Sequence, residues 1–457
     1  EAIRYLNEIS ENEMPSKHVR LGEMRFLRAH FYFNLSRLFN QIVYFDETRE
    51  RDDMVNISNV EYNRDEILHL ISQELEEASK LLPETQDETG RVTKYAALSY
   101  QAKVNLYRAY KQNDKNQLES IDTELLKEAL NFCNIVINSG KYELLSDFQH
   151  LAEVEHETGR ESIFSVKHSI EDGTENGRFN MSNTLNVPRG PAYSGDGFFQ
   201  PSQNLVNSFK TDINGIPLLD TYNTGDLITV ADGFVYNVDP RLDFTVGRLG
   251  IRWKNYTDEP YNESWAREPA TYGYYGCKKF LVSPESPYMR KGWPWGASAL
   301  DYQVIRYADL LLWKAEILIQ LERQDEALPI INQIRTRAKN SRPVLAWNAQ
   351  SETDYAANYI INTYQPGVNC TWTKEYALKA LMFERKLELA MEGERFFDLV
   401  RWGTVEKVLN IEYLPKESIL HDYLKTGSFV QGRDEYLPIP QAQINFSKQL
   451  YQQNPGY

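Results

Sequence analysis

The sequence predicts a mainly α-helical protein, in which helix pairs form a scaffold around a large, irregular, loop-rich subdomain with short strands. Three observations lead there. Residues 1–160 carry apolar side chains at helical spacing. Residues 161–300 lose that period and are dominated by Gly, Pro, Asn, Asp and aromatic residues. Residues 301–457 return to helical spacing before a proline-punctuated tail. The expected division is therefore an N-terminal helical repeat scaffold (1–160), an irregular aromatic-rich ligand-binding subdomain (161–300), and C-terminal helices that complete the scaffold and carry a packed tail (301–457). The three are expected to form one structural unit.

The first helix expected beyond the N-terminus runs from Leu21 to Phe39, with Met24, Leu27, Ala29, Phe31, Leu35 and Leu38 on one broad stripe. Ile67 to Leu82 follows, with Ile67, Leu68, Ile71, Leu75, Ala78 and Leu82 close to an i, i+4, i+8 series. Thr93 to Tyr110 is rich in Ala and Leu, and Thr123 to Asn138 is closed by the stop signal Ser139-Gly140. Paired helices with small residues at their contacts suggest degenerate tetratricopeptide-type repeats, whose period is about 34 residues. Most of that repeat's marker residues are missing. In the middle region, Ser162–Lys167 and Phe244–Val246 look like short strands, and Asp172-Gly, Asn176-Gly, Asn214-Gly and Asp232-Gly mark turns. Helices resume at Tyr302–Leu321, Gln324–Ala338 and Lys374–Trp402, the last interrupted at Gly393. In the tail, Tyr436-Leu-Pro-Ile-Pro-Gln441 holds Leu437 and Ile439 extended, and Gln453-Asn-Pro-Gly-Tyr457 ends in a turn signal. Leu437, Ile439, Phe446, Leu450 and two tyrosines imply that this tail packs against the body of the protein.

Composition narrows the function. A net charge of −15, from 50 basic and 65 acidic residues, argues against general nucleic-acid binding and against adhesion to anionic lipid. It suits a neutral or cationic ligand. Cys133, Cys277 and Cys370 stand apart without a CxxC spacing, so no disulfide framework is expected, and Cys133 reads as a small buried hydrophobe. No run approaches the roughly 20 apolar residues of a membrane span. The chain begins at Glu1 within a helical pattern, as a mature or trimmed fragment would.

Catalytic and metal motifs fare poorly. The seven histidines form neither HExxH nor HxH, and none neighbours a cysteine or a compact aspartate cluster, so no metal site is expected. There is no P-loop, no GxGxxG after a strand and no GxSxG elbow, so no cofactor is expected. Glu384, Glu388 and Glu392 share one helix face. Two such carboxylates across a cleft could hydrolyse glycosides. Interleaved Arg385, Lys386 and Arg395 favour a structural ion network instead. Phe396→Ala or Phe397→Ala is expected to cost about 3–5 kcal/mol if either ring is core.

Tyrosine is the compositional outlier, with 29 copies beside 8 tryptophans. The density peaks between residues 253 and 295. Flat rings stack on the C–H faces of sugars, and nearby Asn255, Asp258, Glu259, Asn262, Arg267, Arg290 and Lys291 could bond hydroxyls. The candidate ligand-binding residues are Trp253, Tyr256, Trp265, Tyr272, Tyr274, Tyr275, Arg290, Trp293 and Trp295. For most single rings a place in a small core remains the stronger reading. Trp293-Pro294-Trp295 is a poor core sequence and would form an apolar patch if exposed.

Several phrases, in order, resemble the SusD/RagB family of outer-membrane nutrient-binding lipoproteins. They are Gly22-Glu-Met-Arg-Phe-Leu-Arg-Ala-His-Phe-Tyr-Phe33, Gly90-Arg-Val-Thr-Lys-Tyr-Ala-Ala97, Ser139-Gly-Lys-Tyr-Glu-Leu144, Asp239-Pro-Arg-Leu242 and Arg306-Tyr-Ala-Asp-Leu-Leu-Leu-Trp-Lys-Ala-Glu316. Glu384-Arg-Lys-Leu-Glu388, Glu392-Gly-Glu-Arg-Phe-Phe-Asp-Leu-Val-Arg-Trp-Gly403 and the Pro-Ile-Pro to Gln-Asn-Pro-Gly-Tyr ending complete the set. The resemblance covers essentially the whole chain. It implies a SusD-like fold of four repeat-like helix pairs docked to a SusC-like TonB-dependent transporter. It also implies a surface protein that captures oligosaccharides or polysaccharides without catalysis and has no nucleic-acid partner. The family's signal peptide, lipidated cysteine and leading helices are missing here. Placement on the outward face of the outer membrane, through a lipid anchor on that absent N-terminus, is therefore an implication of the resemblance alone. It also makes the Glu384–Gly403 acids part of a shared structural signature. The rival readings are a peptide-binding member of the same family and, more remotely, a glycoside hydrolase.

Overall fold

The computed structural model describes residues 1–174, 177–226, 235–290 and 292–457. The turn signals at Asn176 and Asp232, and the side chain of Lys291, lie outside the described residues. The chain forms two compact units. The first comprises Glu1–Lys141, Phe396–Val408 and Phe429–Tyr457; the second comprises Tyr142–Arg395 and Leu409–Ser428.

In the first unit, α1 (Ala2–Glu8), α2 (Lys17–Phe39), α3 (Arg64–Leu81), α4 (Lys94–Ala109) and α5 (Thr123–Asn138) follow one another, with α2 packed on α3, α3 on α4 and α4 on α5. Their starts are written locally. Asn63 and Glu66 form a reciprocal capping box at α3, Thr93 accepts from the Ala96 N–H at α4, and Asp122 accepts from Glu124 and Leu125 at α5. Between two neighbours, α4 is buried on nearly every side, and Ala96, Ala97, Ala102 and Ala109 let the helices approach closely. Cys133 is enclosed in α5, as expected.

α2 departs from the expected stripe. It buries Phe26, Ala29 and Phe33, whereas Phe31, Leu35 and Leu38 face outward. Apolar residues on α2 occupy two faces rather than one, so periodicity alone did not decide which face met α3.

The tail is docked in this first unit through backbone groups as much as through side chains. The Leu437 N–H donates to the Leu38 carbonyl at 2.8 Å, and the Asn454 amide donates to the carbonyls of Phe39 and Leu437. Gln453 bonds both the N–H and the carbonyl of Ile439, and Asn59 does the same for Gln452. Tyr436 and Ile439 are buried, but Leu437 and Phe446 are exposed, so two of the expected anchors do not pack.

The second unit contains the short helices α6 (Gln203–Ser208), α7 (Arg241–Thr245) and α8 (Pro269–Tyr272), and then α9 (Tyr307–Gln320), α10 (Gln324–Asn340) and α11 (Lys374–Glu388). α9 packs on both α10 and α11. Tyr302–Arg306 is a strand rather than the start of α9, and it pairs antiparallel with Ser162–Val166. Of the strand expected at Phe244–Val246, Phe244 and Thr245 belong to α7, and Val246 pairs, within Val246–Gly247, with Gly276–Cys277. Both corrections have one cause: short β-branched or aromatic runs take their state from the partner that meets them.

Beneath these elements lies a buried ion network. Glu384 is ion-paired with Arg241 at 2.7 Å and accepts from Arg335 at 3.0 Å. Glu388 is paired with Arg241, Arg306 and Arg337, and Glu392 with Arg306 and Lys279. Asp239 and Glu161 complete the balance through Arg241, Arg306 and Arg337. The ionic reading of the acid ladder is correct, but its partners are not the expected ones. Arg385 pairs with Asp309, Lys386 donates to the Asn204 side chain, and Arg395 donates to the Met382 carbonyl.

Candidate functional site

The aromatic-rich stretch divides into two populations. Trp253, Tyr256 and Trp265 belong to a buried cluster with Tyr193 and Tyr261, and Tyr275 belongs to a second cluster with Tyr222 and Phe383. Trp253 stacks on Tyr261 with centroids 5.6 Å apart. Its indole N–H donates to the Tyr193 hydroxyl at 2.8 Å, and the Trp265 indole donates to Glu259 at 2.7 Å. Tyr275 donates to Gln203 at 2.8 Å. Each of these polar edges is satisfied inside the fold, so burial carries no lasting penalty. Four of the nine candidates, Trp253, Tyr256, Trp265 and Tyr275, are therefore core rings with no face left for a ligand. This corrects the sequence reading. Its physical reason is that a ring satisfied on its polar edge and covered on both faces lowers its free energy most by burial.

The others reach solvent. Trp293 is 72% exposed and Trp295 43% exposed. They sit on a short hairpin closed by the Arg290 N–H bonding the Ala297 carbonyl at 2.8 Å, with the Ala297 N–H bonding Pro294. Pro294 between them is buried. Arg290 braces the tip: its Nε donates to the Trp293 carbonyl at 2.9 Å, and its guanidinium lies 5.0 Å over the Phe179 ring. At the base, Ser298 bridges both Asn180 and Met289. Gly296 has φ +71°, and a Cβ there would strike Val187, which is fully buried. The hairpin is thus anchored by a glycine contact while its indoles are free to meet a ligand.

Tyr272 and Tyr274 are partly exposed elsewhere on the unit. Tyr272 meets Tyr423 edge-on at 5.4 Å, and His421 beside it bonds the Thr271 carbonyl. Tyr423 and the exposed pair Phe198–Phe199 were missed in the sequence. Arg267, 4.0 Å over Phe198, was singled out only as a polar group. The available signal was the Gly-Asp-Gly-Phe-Phe run ending at Phe199, where consecutive rings cannot both enter one core by strand alternation. Of the polar candidates, Glu259 is held by Trp265 and Asn262 caps the turn at Ser264.

A cavity of about 850 Å³ in the second unit lies among other residues and includes none of the nine candidates. Arg252, Lys254 and Lys278 line it together with Glu153, Glu285 and His156. Burial pushes the Lys278 ammonium down to about 7 and that of Lys254 down to about 8. Of its rings, Phe148 and Phe244 are buried and Tyr355 is half-buried. The hairpin is the better platform for a flat-faced ligand, because stacking requires an open ring face.

The acid ladder is not at any such surface. Burial raises the Glu388 carboxyl, but Arg337, Arg306 and Arg241 outweigh burial and hold it at about 2. A carboxylate so paired stays ionised at neutral pH and cannot serve as a general acid.

Comparisons with known proteins complete the description. The family model described as SusD family matches residues 160–457, and one described as starch-binding associating with outer membrane matches residues 1–106. A SusD-like protein of Formosa agariphila is 26% identical over 395 residues, covering 85% of this chain and 67% of that protein. A SusD-like protein from Bacteroides fragilis superposes with a TM-score of 0.70 at 20% identity, over 100% of this chain and 83% of that one. A laminarin-binding SusD-like protein gives 0.62 at 22% identity, over 100% and 82%. A surface glycan-binding protein from Bacteroides fluxus gives 0.65 at 21% identity, over 100% and 82%.

Proposed function

Since the chain belongs to the SusD family, we propose that it is a cell-surface glycan-binding protein that captures oligosaccharides and hands them to a SusC-like TonB-dependent transporter, without catalysis. The observation that carries this reading is the braced hairpin with Trp293 and Trp295 open to solvent. Two exposed indoles on the hairpin can stack on successive sugar rings, and the Arg290 side chain lies beside them. Each stack contributes about 0.5–1.5 kcal/mol beyond area burial, on the scale of aromatic pairs. Such modest terms suit capture followed by release. Tyr272, Tyr274 and Tyr423 offer a second exposed group for a longer chain.

Delivery to a transporter is supported by the outward apolar face of α2, where Phe31, Leu35 and Leu38 line a groove of about 600 Å³. A surface of that kind suits a protein partner. The description of the family model matching residues 1–106 supports placement at the outer membrane. Non-catalytic binding is supported by the pairing of Glu384, Glu388 and Glu392 within the scaffold.

Affinity gel electrophoresis against a glycan panel that includes laminarin and starch tests the proposal. Retardation by at least one glycan, lost when Trp293 and Trp295 are both replaced by Ala, is the expected result. Retardation unchanged in the double variant moves the ligand away from the hairpin, and release of reducing sugar from any glycan overturns non-catalytic capture. Binding of peptides alone favours the peptide-binding reading.

A further inference from the structure

The structure holds a ligand constellation that stands apart from the aromatic surface. His150, Glu153 and His156 each offer a donor atom, and these atoms lie within 4.8 Å of one another. The Glu153 carboxylate is 3.5 Å from His156 Nε2 and 3.8 Å from His150 Nε2, and the two imidazoles stack with centroids 3.8 Å apart at 12°. Local backbone creates this column. Phe148–Ala152 and Val154–His156 are 3₁₀ turns. Glu153 joins the two turns in extended conformation, and the turn on each side carries one histidine back toward its carboxylate. On an α-helix the same spacing would fan across roughly 120°, at 3.6 residues per turn. The spacing is His-x-x-Glu-x-x-His, which a search for HExxH passes over.

We propose that His150, Glu153 and His156 bind a divalent first-row transition-metal ion of the zinc class on the wall of the large cavity. Two imidazoles and one carboxylate form a borderline-soft donor set that suits zinc, copper or nickel better than calcium, which favours six or more oxygens. Donors around a tetrahedral zinc at bond lengths of 2.0–2.1 Å stand about 3.3 Å apart. The Glu153–His156 separation is already close to this. Metal entry requires the two stacked rings to splay so that both lone pairs converge on the ion. Glu153 and His156 line the cavity, with Arg252 and Lys254 on its walls. The fourth coordination position is therefore open to water or to an oxygen of a bound molecule. The site does not depend on the glycan reading.

The test uses the 457-residue chain, stripped with a chelator and titrated with zinc chloride by calorimetry, with cobalt(II) absorption as a second readout. One saturating equivalent is expected, along with a higher melting midpoint and visible bands of low-symmetry cobalt. In a His150→Ala/His156→Ala variant with unchanged circular dichroism, affinity falls tenfold or more, about 1.4 kcal/mol or more. Glu153→Gln weakens zinc binding and alters the cobalt bands while both histidines remain. Failure to saturate, binding that survives intact in the double variant, or a preference for calcium over zinc each overturns the site.

Discussion

Trp253 and Trp265 lie in the same aromatic-rich stretch as Trp293 and Trp295, yet the first pair is fully enclosed and the second faces solvent. The enclosed pair has a bonding partner for each indole N–H and glycines pressed against the rings. A Cβ on Gly190 would come within 2.4 Å of Trp265, and one on Gly247 within 2.4 Å of Trp253. The exposed pair flanks a buried proline on a hairpin whose anchor, Gly296, touches Val187 rather than an indole. Aromatic density therefore does not separate core from platform. What separates them is whether the rest of the fold supplies both a cover for the ring and a partner for its edge.

The largest effects should fall on the enclosed side. Trp265→Ala or Trp253→Ala should cost about 3–5 kcal/mol of stability, read from urea midpoints. A loss no greater than that of Trp293→Ala would erase the distinction. Glu388→Ala sharpens the comparison by testing buried charge against buried rings. It should cost about 3–5 kcal/mol, because Arg337, Arg306 and Arg241 would lose a shared counter-ion. The same carboxylate makes stability pH-dependent. Its pKa is depressed to about 2 in the fold, so its contribution is complete above the unfolded value near 4.5 and is lost as pH falls from there through 2. Glu388→Gln should flatten that part of an acid-denaturation profile, and an unchanged profile would remove Glu388 as its source.

Smaller effects probe the glycine contacts and the hairpin. Gly190→Ala should destabilise by about 1–3 kcal/mol through overpacking against Trp265. A neutral result would mean that the ring can retreat. Trp293→Ala and Trp295→Ala should each weaken glycan binding by about 0.5–1.5 kcal/mol, roughly two- to twelvefold. Their melting midpoints should barely move, since surface changes usually stay within about 0.5 kcal/mol. A large stability loss in either variant would place that indole with the enclosed group. Phe396 is the intermediate case: partly exposed and edge-on to Phe429, it should cost less on truncation than a buried ring.

Much of the scaffold was legible because its determinants are local. The caps at Asn63, Thr93 and Asp122 lie within three residues of the groups they satisfy. The acid ladder showed a charged helix face, and Trp-Pro-Trp showed a run unsuited to a core. Two things were not legible. The face of α2 that meets α3 was ambiguous because both faces carry large apolar residues. The His-x-x-Glu-x-x-His column was hidden because it forms across two short turns joined at an extended Glu153, a geometry no regular period encodes.

By itself, the sequence determined a helical protein with an irregular aromatic middle and a tail that must dock rather than fray. Those features follow from periodicity and proline geometry, which act over a few residues. Only the tertiary structure decided which aromatics were covered and which cations met the acids. Arg241 reaches Glu388 across 147 residues of chain, and Trp253 reaches Tyr193 across 60. Burial and ion pairing are properties of the completed packing, where free energy depends on every neighbour a side chain meets, and no local pattern encodes those neighbours.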